Sequence, residues 1–204
     1  MKRIIVVAVI LLFVLGAGAF VWYTWPKDAE PEITEPIIET PIETTRNYTS
    51  STLGYSITYP IEFTQSDHTY AFSDTKNIEG GFQLTVPAEM ATGTNLSSDS
   101  YVAVEQLPNA RLCTGDIFIR ANVTASEVED GGVTYSVASS TEGAAGNRYE
   151  EWIYAIKDST PCTAVRYYIH STAIENYPEG TVQEFNSEAL LQEFDGMRRS
   201  LRKI

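Results

Sequence analysis

The pattern of the apolar positions changes three times along the chain. From residue 4 to residue 23 twenty positions pass without a charge. At 1.5 Å per residue such a helix spans the roughly 30 Å hydrocarbon core of a bilayer. Lys2 and Arg3 precede the run, and acids dominate the residues after it. This predicts a transmembrane anchor over 1–25, with the N-terminus inside and the C-terminal bulk outside. Trp22, Tyr23 and Trp25 stand where an outer aromatic belt belongs. A cleaved signal peptide is the competing reading, with Ala17-Gly18-Ala19 as its cleavage site. The apolar run continues past that site, which favours the uncleaved anchor. Residues 26–47 then lose all hydrophobic period. Pro26, Pro31, Pro36 and Pro41 recur every five residues with Glu and Thr between them. That spacing blocks helix and ladder alike and reads as an extended acidic stalk.

From residue 48 onward the period is mostly two. Tyr55, Ile57 and Tyr59 alternate with Ser56 and Thr58 in a strand stopped by Pro60. Short strands are expected next at 68–73 and 81–86, joined by a turn at Ile78-Glu79-Gly80-Gly81. Residues 90–97 read as polar loop. Residues 99–107 suit a short helix capped by Ser98 or Asp99, or a strand, because Tyr101-Val102-Ala103-Val104 has no clear period. Strands at 116–123 and 133–138 flank Glu129-Asp130-Gly131-Gly132, a tight-turn signal. A loop is expected over 139–147.

The clearest unit is a hairpin of 149–156 and 163–171. Centring its turn near Ser159 sets Trp152 opposite Tyr167 and Tyr154 opposite Val165. Ile156 and Ile169 share that face, which must be core, since a one-residue slip would turn Trp152 into water. Tyr149, Glu151, Arg166, Tyr168 and His170 occupy the other face. Over 187–204 the period becomes helical. Leu190, Leu191, Phe194, Met197, Leu201 and Ile204 form one apolar stripe. Ser187 is the expected cap, and Arg198, Arg199, Arg202 and Lys203 complement the dipole on a solvated face. The expected class is α+β, an antiparallel sheet packed against a C-terminal helix over 48–204.

Charge and chemistry narrow the function. With 27 acids against 14 bases, net −13, the chain lacks the basic surface a nucleic-acid partner requires. A hydrophobic content of 43% excludes a disordered chain. Cys113 and Cys162 are a pairable couple for an exported domain, predicting a disulfide that closes about 50 residues. No Cys-x-x-Cys exists for redox catalysis. His68 and His170, the two histidines, lack ligand-type neighbours at metal-binding spacing, so no metal is expected. No cofactor motif or Gly-x-Ser-x-Gly elbow occurs. Glu151, Arg166, Tyr168 and His170 are the candidate binding patch; the plainer reading is a solvated sheet face with a cross-strand Glu151–Arg166 pair. The expected function is a tethered extracytoplasmic binding or assembly module without catalytic activity. Its partners would be the membrane, through the helix, and another envelope protein or a cell-wall component. The alternative is a small enzyme using His170 and Glu151 as acid and base.

The strand LGYSITYP (53–60), the strand-rich middle and the helix LLQEFDGMRRSLRKI (190–204) resemble exported domains of the PsbP/Mog1-like fold. Such domains often begin with a GFxxxYP-like strand and close with an FD…SL helix. The hairpin GNRYEEWIYAI…CTAVRYYIHST is also similar to that of small single-pass bacterial membrane proteins of unassigned function. The resemblance implies an antiparallel sheet packed against helices, and a protein that binds or assists other proteins. It carries over no catalytic residues, and no ligand motif matches the metal binding of photosynthetic PsbP.

Overall fold

The computed structural model describes residues 43–68, 71–73, 76–77, 81–120 and 122–204. The anchor expected over 1–25, the stalk up to residue 42 and the centre of the turn at 78–80 lie outside them. No helix of the described residues is long and apolar enough to cross a membrane.

In chain order the elements are β1 (Thr45–Ser50), β2 (Tyr55–Pro60), β3 (Thr64–Asp67), β4 (Ala71–Ser73), β5 (Lys76–Asn77) and β6 (Gly81–Thr85). A one-turn helix α1 (Ala88–Ala91) leads to β7 (Tyr101–Leu107), β8 (Ser126–Asp130), β9 (Val133–Ala144), β10 (Asn147–Ile156) and β11 (Cys162–Thr172). Helix α2 (Ser187–Ser200) and β12 (Arg202–Lys203) close the chain. Seven strands form one sheet in the order β3-β6-β7-β11-β10-β9-β8, and β1-β2-β12 form a small second sheet. Every pairing between these strands is antiparallel. The domain is α+β, with sheets packed against a C-terminal helix as the sequence predicts.

Alternation decides which face of the large sheet meets the core. Phe82, Leu84, Val102, Val104, Val165, Tyr167 and Ile169 are buried on one face. Against them pack Tyr55, Ile57 and Tyr59 of β2 and Leu190, Phe194 and Met197 of α2. The β10–β11 register pairs Trp152 with Tyr167 and Tyr154 with Val165, as the placement of the turn requires. The turn between β8 and β9 falls at Gly131 and Gly132, with φ of 61° and 79°, a left-handed pair that glycine adopts without strain.

Several elements differ from the sequence reading. The ambiguous stretch before Pro108 is strand β7, because it lies between β6 and β11 and supplies ladder bonds to both. The strand expected at 116–123 is instead a 3-10 turn, Gly115–Phe118, continuing into irregular chain. Its apolar residues cover the sheet rather than join it. The hairpin partner of β9 is β8 at Ser126–Asp130. The loop expected over 139–147 is mostly strand, since β9 runs to Ala144 and turns through Ala145 and Gly146. Of the strand expected at 68–73, Ala71–Ser73 is β4, while His68 follows the end of β3 at Asp67 and residues 69–70 lie outside the described ones.

The last helix also differs at both ends. Asn186, not Ser187, caps it, accepting a bond from the Ala189 N–H at 3.0 Å. It stops at Ser200, and Arg202–Lys203 pair with Tyr55–Ser56 of β2. The basic end is not uniformly solvated. Arg198 is 2% exposed; its Nε donates to the Tyr167 hydroxyl at 2.8 Å, and its Nη2 donates to Asp130 at 2.5 Å and Asp195 at 3.0 Å. Its guanidinium lies 4.7 and 4.3 Å from the ring centres of Tyr135 and Tyr154. Arg198 therefore ties the helix to the β8–β9 turn, work the dipole does not explain.

This packing can be tested by stability. Phe194 is fully buried between Phe63 and Tyr167. Phe194→Ala should cost about 3–5 kcal/mol, and Arg198→Ala about 2–3 through loss of a buried bonded cation. Arg199, half exposed on Asp130 and Asp195, should cost under ~1 kcal/mol when replaced by Ala. Urea denaturation of the three variants gives the order; equal losses at Arg198 and Arg199 would contradict it.

Candidate functional site

The face of the large sheet turned away from α2 carries the predicted patch. The register sets it out in transverse rows. Thr85, Tyr101, Tyr168 and Glu151 stand side by side on β6, β7, β11 and β10. The next row is Gln83, Ala103, Arg166 and Ile153, and the next is Gly81, Glu105, Ala164 and Ala155. Small residues therefore flank the two long charged ones. Ala103 leaves room beside Arg166, and Gly81 and Ala164 flank Glu105.

Arg166 and Glu105 are both 0% exposed. Arg166 Nε and Nη2 donate to the two Glu105 oxygens at 2.6 and 3.0 Å. Nη2 also donates to the Phe118 carbonyl at 2.7 Å, and Nη1 lies 3.0 Å from Glu151 Oε2. On the far side His68 Nε2 donates to Glu105 at 2.9 Å, while its Nδ1 lies 2.9 Å from the Gln83 amide oxygen. Burial by itself would raise the Glu105 carboxyl. The Arg166 charge and the bonds from His68 and Arg166 outweigh it and hold the group below its ordinary value.

Over Arg166 lies a strap of chain, residues 108–120. Phe118 and Ile119 are buried with Ala138, Ile153, Ala155, Cys162 and Ala164 in a second apolar cluster. Cys113–Cys162 is a disulfide with its Cα atoms 5.0 Å apart, stapling the strap to the start of β11. Gly115 lies so close to β9 that a Cβ would stand 2.7 Å from the Ala138 nitrogen and 2.8 Å from the Ser136 oxygen. Only glycine fits there, and its N–H donates to the Ser136 hydroxyl at 3.1 Å.

Beyond the strap the face opens into a groove of about 620 Å³. The row Thr85, Tyr101, Tyr168 and Glu151 lines it, with Gln83, Ser98 and Asp99 at its sides. Aromatic rings run across the same region without a break. His68 and Tyr101 are 5.2 Å apart, Tyr101 and Tyr168 5.0 Å, Tyr168 and Tyr149 6.3 Å, and Tyr149 and His170 4.5 Å. His170 Nδ1 donates to Asp99 at 2.8 Å. Its Nε2 is sealed from solvent, with no hydrogen-bond partner among the described residues.

The four predicted residues thus share one face but not one exposure. Glu151 and Tyr168 line the groove, His170 stacks at its margin, and Arg166 lies beneath as a structural cation. The Glu151–Arg166 pair exists, yet the face is not a solvated one. Sequence reasoning missed Glu105, Tyr101 and Gln83, and treated Asp99 as a helix cap. The available signal was the interleaving of Ala103 and Ala164 among large polar residues on two strands. Among the described residues, no group of three or more His, Cys, Asp or Glu is placed to hold a metal ion.

The chain matches no protein-family profile and no curated protein. Among solved structures it is similar to a crystal structure from Bacteroides thetaiotaomicron, 14% identical over 79% of this chain and 49% of the other, with a TM-score of 0.46. The chain spans about half the length of that protein. It is also similar to the solution structure of cyanobacterial PsbP from Synechocystis, 12% identical over 81% of this chain and 96% of the other, with a TM-score of 0.33. PsbP, the family whose motifs the sequence resembles, is therefore among the structures that match. At these identities and scores the likeness transfers no site, ligand or activity.

Glu105 offers a direct test of the buried pair. Glu105→Gln leaves Arg166 buried without its bidentate carboxylate and should cost about 3–5 kcal/mol. Because the folded carboxyl titrates below its unfolded value, its contribution is complete above about pH 4.3 and is lost as pH falls through the folded value. The gap between wild type and variant should shrink in that acid window. Chemical denaturation across pH measures it, and a gap that widens on acidification would refute the assignment.

Proposed function

We propose that this chain is a membrane-anchored extracytoplasmic binding or assembly module without catalytic activity, and that it engages its partner through the groove on the outer sheet face. The observation that carries the reading is the groove itself. Aromatic and polar side chains from four adjacent strands converge there, on a floor made rigid by the Arg166–Glu105 pair. Rigid elements that present tyrosines suit recognition, because little side-chain entropy remains to be lost on binding. The address rests on the uncharged run over 4–23 behind Lys2 and Arg3, and on a disulfide, which persists in oxidising compartments. Another envelope protein or a cell-wall component is the partner that address supplies.

The enzyme alternative has less support. His170 directs Nδ1 to Asp99 and keeps Nε2 away from solvent, so no ring nitrogen is offered to a substrate. The Glu151 carboxylate is engaged with Arg166.

Two measurements test the proposal. The mature protein should retain residues 4–23, whereas an N-terminus at Phe20 would refute the anchor. In intact envelopes, a photocrosslinker placed at Thr85 should capture a partner that one placed at Glu188 on α2 does not. Capture from both positions or from neither would refute the groove as the binding face.

Reduction should also loosen the strap. A bridge closing about 50 residues is worth about 4 kcal/mol in the chain-entropy model, so Tm should fall by roughly 10 °C. An unchanged Tm after complete reduction would show that the staple does not hold the groove's floor.

A further inference from the structure

We propose that the Cys113–Cys162 bridge is a redox latch, opened by a protein dithiol of the thioredoxin class that attacks the Cys113 sulfur and frees the strap from the sheet. The bridge joins a segment without ladder bonds to a strand, β11, that has them on both sides. Among the described residues, no backbone bond links residues 108–120 to a strand; the Ile119 N–H donates to the Asp116 carbonyl at 3.2 Å, inside the strap itself. Other ties run through side chains. The Gly115 N–H donates to the Ser136 hydroxyl, Arg166 donates to the Phe118 carbonyl, and Phe118 and Ile119 sit in the second apolar cluster. No strap residue belongs to the main core built by β2, the central strands and α2. A segment with few backbone bonds and a small cluster of its own opens at a lower free energy than the whole domain. The covalent bond holds it where a ladder does not.

Exposure selects the sulfur. Cys162 is 3% exposed inside the second cluster, whereas Cys113 is half-buried on the strap. Beside it Leu112 is 74% exposed, more than any other large apolar side chain among the described residues. An incoming protein therefore finds an apolar contact next to the reachable sulfur, and access governs which sulfur a thiolate attacks. The step is a thiol–disulfide exchange. A thiolate of the reductant bonds to Cys113 Sγ, the Cys113–Cys162 bond breaks, and its electron pair leaves on Cys162 Sγ, which takes a proton. The second thiol of the reductant then displaces Cys113 from the mixed disulfide, so two protein thiols and one oxidised dithiol result. With the bridge open, Phe118 and Ile119 leave Ile153, Ala155 and Ala164, their neighbours in the cluster. Ile153 stands in the row next to Tyr168 and Glu151, so the uncovered apolar surface is continuous with the groove. Arg166 keeps its two bonds to Glu105, and water replaces the Phe118 carbonyl. Reduction thus widens the outer face and leaves the core in place.

The test uses the purified full chain with a reduced thioredoxin-type enzyme, and dithiothreitol as the small-molecule control. A form of that enzyme lacking its second cysteine should be trapped as a mixed disulfide, which peptide mapping should place on Cys113. Trapping on Cys162, or no reaction with the enzyme where dithiothreitol opens the bridge, would overturn the proposal. After reduction, hydrogen exchange at the Gly115 and Ile119 amides should quicken by roughly tenfold or more, while Val104 and Tyr167 on β7 and β11 stay protected. Unchanged exchange at Gly115 and Ile119 would mean that the bridge is not what holds the strap. Loss of protection at Val104 and Tyr167 as well would mean that reduction unfolds the domain. Either result overturns the latch. Leu112→Ser, at an exposed position, should slow the enzyme roughly tenfold, the effect of losing one leucine contact, and leave reduction by dithiothreitol unchanged. No slowing, or equal slowing with dithiothreitol, would overturn recognition by a protein dithiol. These readouts do not depend on whether the groove binds a partner, so the latch and the binding reading stand or fall separately.

Discussion

A carboxylate and a guanidinium taken wholly out of water must find each other with good geometry, and the Glu105–Arg166 pair imposes that demand on everything around it. The two side chains lie flat on the sheet because Gly81, Ala103 and Ala164 leave space beside them. Arg166 stays dry beneath the strap, which is itself held by the Arg166 bond to the Phe118 carbonyl, and Glu105 is closed on its other side by His68. The pair adds little net stability, since desolvation consumes most of its attraction. Its effect is positional. A strap shifted by one residue would leave the third Arg166 bond unmade, so the pair fixes where the cover ends and the groove begins.

The opposite face solves the same problem with Arg198. There a helix residue reaches over Tyr135 and Tyr154 to the turn between β8 and β9. One buried arginine thus joins irregular chain to the sheet on the outer side, and another joins the helix to it on the inner side. Both have their charge stabilised by neighbouring carboxylates, and both sit where one layer meets another. Glu105 and Arg166 lie on β7 and β11, at the centre of the sheet, while Arg198 reaches from Tyr167 on β11 to Asp130 on the edge strand β8. The margins are left to charged edges such as Glu127 and Glu129 on β8, which deter pairing with another chain.

What was legible in the sequence was local. The register of β10 and β11 came from the turn and one apolar face, the α2 stripe from its period, and the disulfide from a count of two in an exported setting. What escaped depended on distant pairings. Asp99 before an apolar run looks like a helix cap, and its partner His170 is 71 positions away. Ile117, Phe118 and Ile119 look like a strand because their composition suits one, although they are apolar in order to cover a sheet. Arg166 on an alternating strand looks solvated unless the second cover is known. The polar stretch of 139–144 looks like loop, yet β10 pairs with it along its length.

The small sheet has an asymmetry with a kinetic meaning. Its middle strand, β2, is flanked by six residues of β1 on one side and by only Arg202 and Lys203 on the other, with the Ile204 N–H closing onto the Gly54 carbonyl at 3.0 Å. Those last residues bury almost no apolar surface, so their loss would barely register in an equilibrium unfolding curve. It would, however, uncover one side of Tyr55-Ser56, the start of an alternating strand whose Thr58 backbone is held on that side by Ser200. Arg202 and Lys203 place two positive charges along that edge, the kind of side chain that discourages a second strand from adding.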